Sequence, residues 1–225
     1  MVSKLDGPRL IPKGRAPRQL VVFLHGYGAD GNDLIGIAQQ WQGLLPDAVF
    51  VSPHAPEPCA QAPVGRQWFG LNLRSEEELW RGVNQAAPVL NAFLDAELAR
   101  HGLGAERLAL VGFSQGTMLA LHVGLRRGLA ALVGYSGLLV GAAHLGELPK
   151  GKGATPILLL HGDQDDLIPA EALFVSIEEL AKAAIPCQWH LSVGIGHGID
   201  GGGLMHGGLF LAQAFGMKPK LGPAA

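Results

Sequence analysis

The stretch Leu108-Ala109-Leu110-Val111-Gly112-Phe113-Ser114-Gln115-Gly116 leaves few folds open to this chain. Its apolar start reads as a strand buried on both faces. Thr117 to Arg127 continues as a helix-like segment. A G-x-S-x-G between strand and helix is the pattern of a nucleophile elbow, a sharp turn that holds a serine hydroxyl above a parallel sheet. The turn needs backbone angles that a Cβ resists, and Gly112 and Gly116 remove side chains where strand and helix come together. Taken alone, the pentapeptide also fits an ordinary strand-to-helix turn, so its reading depends on the rest of the chain.

Further apolar runs of strand length fall at residues 19–25, 48–52, 131–135, 156–161 and 187–193, with a possible short edge strand at 9–12. Helix candidates lie at 31–40, 75–101, 114–127, 170–184 and 204–215. Ser75 and Glu78 have capping-box spacing, and Pro88 predicts a kink or a division into two helices. This alternation predicts an α/β fold: one domain over residues 1–225, with a mostly parallel central sheet and helices on both faces. Residues 1–18 read as an N-terminal arm. Residues 53–74, rich in Pro and Gly, read as an irregular binding loop carrying Trp68 and Phe69.

With 48% hydrophobic and 16% charged residues, a chain of 225 residues can bury a sizeable core. A net charge of −2 gives no electrostatic reason to expect a nucleic-acid partner. Cys59 and Cys187 are too few for a disulfide framework and lack metal-site spacing. No apolar signal core opens the chain and no run is long enough to span a bilayer, so the expectation is a cytoplasmic protein without an integral membrane segment.

A serine hydroxyl needs a base to take its proton. On this architecture the acid and the histidine follow the serine, each in a loop after a late strand. Asp163, Asp165 and Asp166 all follow the strand at 156–161, and spacing does not choose among them. Of nine histidines, only His197 stands in the loop after the last strand, between glycines. His25 and His161 precede glycines at strand ends and read as structural. A tetrahedral intermediate also needs two N–H donors, and the amides of Gln115 and Tyr27 are placed to provide them.

Two rivals share these residues. Gly26-x-Gly28-x-x-Gly31 matches a dinucleotide-binding fingerprint, but the required acidic residue is missing where the next strand ends in Val51-Ser52-Pro53-His54. A metal held by the Asp163–Asp166 loop with His161 or His197 finds no supporting ligand spacing. Neither a cofactor nor a metal is expected.

Four blocks together resemble the phospholipase/carboxylesterase family of α/β-hydrolases, which includes acyl-protein thioesterases. They are Leu24-His25-Gly26-Tyr27-Gly28-Ala29-Asp30-Gly31, Gly112 to Gly116, His161-Gly162-x-x-Asp165-x-x-Ile168-Pro169 and Gly196-His197. The resemblance selects Asp165 as the acid. It implies a serine esterase working through an acyl-enzyme with Ser114, His197 and Asp165, and an acyl groove near Trp68, Phe69 and Leu71. The substrate class it implies is a carboxylic ester or thioester; a lysophospholipase and a non-catalytic binding protein on the same fold are the alternatives. Oligomeric state stays open. The chain departs from the family pattern at Gly70, where an aspartate is common, and at Gly201-Gly202-Gly203, where a Glu-containing helix start is common.

Overall fold

The protein's structure is a computed structural model, described over residues 5–59, 61–149 and 155–217. Strand β2 (Gln19–Leu24) shows how its centre is built, because all six residues are buried. Leu20, Val22 and Leu24 enter one apolar cluster while Val21 and Phe23 enter another. Side chains of a strand alternate between faces, so a continuous apolar run must be covered on both sides. Strands β3 (Ala48–Val51), β6 (Leu108–Phe113), β7 (Ala131–Tyr135), β8 (Ile157–Gly162) and β9 (Cys187–Ser192) complete the parallel part of the sheet. Strand β1 (Arg9–Leu10) adds an antiparallel edge on β3. The order is β1-β3-β2-β6-β7-β8-β9.

Helices α3 (Glu76–His101), α4 (Gln115–Arg127) and α5 (Glu171–Lys182) cover the first face. Helices α1 (Gly31–Ile35), α2 (Ile37–Trp41) and α6 (Gly201–Ala214) cover the second. The chain leaves β2 for β3 on one side and later enters β6 on the other, with Leu24 in register with Gly112. A crevice at the carboxyl ends of strands opens where strand order reverses in this way. The loop after β2 and the serine after β6 therefore meet at the same rim.

Three expectations are corrected here. Helix α3 runs through Pro88 without dividing into two helices. Pro88 and Asn84 both lie on its exposed side, so the carbonyl that the proline leaves without a partner can be hydrated, while Val83, Ala86, Ala87, Leu90 and Leu94 stay buried. The span 53–74 is not wholly irregular, since β4 (Glu57–Pro58) and β5 (Arg66–Gln67) pair within it. Helix α6 begins three residues before the expected start, inside the glycine run, because the Asp200 carboxylate caps it by accepting from the N–H groups of Gly202 and Gly203. Among the described residues no helix is long and apolar enough to cross a membrane.

Candidate active site

Ser114 sits at φ 53° and ψ −116°, a conformation that L-residues rarely adopt. Its N–H donates to Tyr135 O at 2.9 Å, and its own carbonyl accepts from Thr117 N at 3.0 Å as α4 starts. A Cβ on Gly116 would run into the Leu24 carbonyl, and one on Gly112 into the Thr117 backbone. The two glycines let α4 start directly against β2 and β6, and the turn's strain is held by that packing. The side chain of Ser114 stands beside the next loop: a Cβ on Gly26 would lie 3.4 Å from that of Ser114.

The loops after β8 and β9 join behind it. His197 Nδ1–H donates to Asp165 Oδ2 at 2.7 Å. Asp165 Oδ1 accepts from Leu167 N at 3.0 Å and Ile168 N at 2.9 Å. The carboxylate is fully buried, and its charge is met by N–H donors rather than by water. With Nδ1 directed at a carboxylate, the opposite nitrogen of His197 is the one free to take a proton. The His197 ring lies 5.0 Å from that of Phe113, the residue before Ser114. The Gly198 carbonyl accepts from Ser136 Oγ at 3.4 Å, one residue beyond the acceptor of the Ser114 N–H.

Loop 25–29, after β2, carries Tyr27. No acceptor among the described residues takes the Tyr27 N–H. Gln115 opens α4, where an N–H has no partner inside the helix. Its side chain is tied down, with Oε1 accepting from Trp68 N at 3.0 Å and Nε2 donating to Phe69 O at 2.7 Å. The pair β4–β5 clasps the same loop, because Gly28 N donates to Arg66 O and Arg66 N to Ala29 O.

The sequence profile of the phospholipase/carboxylesterase family matches residues 5–214. The chain belongs to this family. Acyl-protein thioesterase 1 of Gibberella zeae is 26% identical over 216 residues, covering 88% of this chain and 91% of that protein. The esterase YpfH of Escherichia coli K12 is 30% identical over 186 residues, covering 81% and 77% respectively. Among solved structures, esterase PE8 superposes with a TM-score of 0.88 at 40% identity, over 94% of this chain and 100% of that one. The chain is thus a carboxylic ester hydrolase with the α/β-hydrolase fold.

Two of the residues expected near an acyl groove are deeply buried. Trp68 and Phe69 are each only 2% exposed. Trp68 Nε1–H donates to His25 O at 3.0 Å, and Phe69 fills the space beside Gly82 of α3. They form packed core under the loop, and of the three expected groove residues only Leu71 is half-buried. Asp163 and Asp166 are exposed, and Asp163 Oδ1 accepts from Gly194 N at 2.6 Å. Among the described residues no group of three or more His, Cys, Asp or Glu is arranged to hold a metal ion.

Ser192 and Asp200, which also shape the site, carry no motif signal in the sequence. Ser192 Oγ donates to Asp200 Oδ1 at 2.6 Å, closing the His197 loop at its base. That hydrogen bond, with the capped N–H groups of Gly202 and Gly203, holds the Asp200 carboxyl below its ordinary range. His25, fully buried, donates from Nδ1 to Gly26 O and accepts at Nε2 from Ala55 N. Burial pushes its imidazole toward the neutral form. Only the pairing of a polar residue just before the loop with one just after it could have pointed to Ser192 and Asp200.

Proposed function

We propose that this esterase hydrolyses carboxylic esters through an acyl-enzyme formed on Ser114, with His197 as general base and acid and Asp165 as its orienting carboxylate. His197 takes the Ser114 proton as the hydroxyl oxygen attacks the ester carbonyl. The oxyanion is held by the N–H groups of Tyr27 and Gln115, reinforced by the positive end of α4. Collapse of the tetrahedral intermediate expels the alcohol, which leaves with the proton from His197. Water, activated by the same imidazole, then releases the acid and restores Ser114.

The observation that carries this reading is the strained backbone of Ser114 at the strand-order reversal, with the His197–Asp165 hydrogen bond on the adjoining loops. The free N–H of Tyr27 and the first helical N–H of α4 give the oxyanion two donors. A thioester is the second reading, because the Gibberella zeae relative, matched over 91% of its length, is named an acyl-protein thioesterase. Its chemistry at the carbonyl is the same.

A fluorophosphonate probe tests the mechanism. One equivalent is expected to label the protein, on Ser114, with labelling lost in Ser114→Ala. Labelling elsewhere, or none on folded protein, would remove the acyl-enzyme from consideration. A paired series of nitrophenyl esters and acyl thioesters of increasing chain length then separates the two substrate readings.

A further inference from the structure

Near the end of strand β8 stands His161, a buried imidazole to which the mechanism above gives no task; it is 2% exposed. Its Nε2 lies 2.7 Å from the Ile168 carbonyl oxygen and 3.2 Å from Asp165 Oδ2. A carbonyl can only accept, so Nε2 carries the proton and donates it to Ile168 O, with Asp165 Oδ2 close beside that bond. Among the described residues Nδ1 has no partner. The ring is therefore set as the Nε2–H tautomer by its own loop.

We infer that His161 is a positioning residue of the site, whose Nε2–H, donated to the Ile168 carbonyl, fixes the loop that holds the Asp165 carboxylate in the orientation His197 uses. The inference rests on the reading of Asp165 as the triad acid. Three N–H donors reach this carboxylate: Leu167 and Ile168 on Oδ1, His197 on Oδ2. The two backbone donors belong to the loop itself. His161 ties that loop to the sheet through the Ile168 carbonyl, and its ring lies 3.2 Å from Oδ2. A carboxylate's terminal torsion is broad, so its plane depends on donors held in place on both sides. Asp165, and through it His197, are the titratable groups that face the ring. Asp163 is turned to Gly194 N and Asp166 is exposed.

Two variants separate positioning from packing. In His161→Gln the amide nitrogen can stand where Nε2 stands and still donate; in His161→Met a side chain of similar reach cannot. With an ester substrate, His161→Met is expected to lose roughly tenfold or more in kcat, well short of the ~10⁴ that follows loss of the carboxylate charge. KM should stay the same. His161→Gln should recover most of kcat. A folded His161→Met with the parent kcat overturns the inference, as do equal losses in the two variants. If His161→Met does not fold, nitrogen NMR on the unsubstituted protein decides, with an Nε2–H tautomer expected for His161 and an Nδ1–H tautomer fatal. Asp165→Asn in the same assay keeps the two readings apart. Activity surviving that change removes the acid assignment, whereas an inactive Asp165→Asn beside an unaffected His161→Met removes only the role of His161.

Discussion

At the scale of single residues, three aspartates within four positions occupy unlike environments. Asp165 is buried and bonded to His197, Asp163 caps the far loop at Gly194 N, and Asp166 faces water. Asp165→Asn keeps the shape but can present an N–H to His197 and so favours the wrong tautomer. A loss of about 10⁴ in kcat is expected from steady-state assays. Asp166→Asn should leave kcat within about twofold, as surface changes away from such features usually do. Asp163→Asn should fall between them, since its carboxylate accepts a charge-assisted hydrogen bond from the loop that carries His197. An Asp166→Asn as damaging as Asp165→Asn would overturn the acid assignment.

At the scale of elements, α6 looks poorly suited to helix formation, with Gly201, Gly202, Gly203, Gly207 and Gly208 among its residues. Each interior glycine costs up to about 1 kcal/mol relative to alanine, so packing must favour them. A Cβ on Gly207 would collide with the Tyr135 hydroxyl, and one on Gly208 would lie 2.8 Å from Trp41. Gly207→Ala should therefore lower the melting temperature despite alanine's higher helix propensity. Asp200→Ala removes the cap of α6 and the acceptor of Ser192 Oγ. A destabilisation of about 1–2 kcal/mol is expected by denaturant titration. Because the same carboxylate closes the His197 loop, kcat should fall as well. These two features show where the sequence stops being legible. Apolar runs gave every parallel strand of the central sheet to within a residue, because burial between two layers leaves a signal along the chain itself. The start of α6 was hidden, because Gly201-Gly202-Gly203 read as a break, and the cap from Asp200 that starts the helix there shows only in the fold. The resemblance placed Trp68 and Phe69 near a groove, but their burial was not legible in the loop itself, because it comes with two hydrogen bonds to the Gln115 side chain far along the sequence.

At the scale of the whole molecule, the sheet brings its carboxyl-end loops to one rim, while the opposite consequences of burial are met far from it. His122 on α4 is buried against the Trp80 ring, with its Nδ1 unpartnered among the described residues. Burial first, and the Arg126 charge second, push its imidazole down to about 4. The unfolded chain has an ordinary histidine that protonates near pH 6.5. Above pH 6.5 both states are neutral at this residue and stability is unaffected. As pH falls from 6.5 toward 4, only the unfolded state gains the proton, so stability is progressively lost. With solvent screening allowed for, the loss is on the order of 2 kcal/mol. Melting temperature should therefore decline over that interval. His122→Phe, which keeps an aromatic ring beside Trp80 without a titrating group, should flatten the decline. The buried His25, also shifted toward neutrality, would sustain part of the slope. A slope of stability against pH left unchanged by His122→Phe would place the acid sensitivity at other groups.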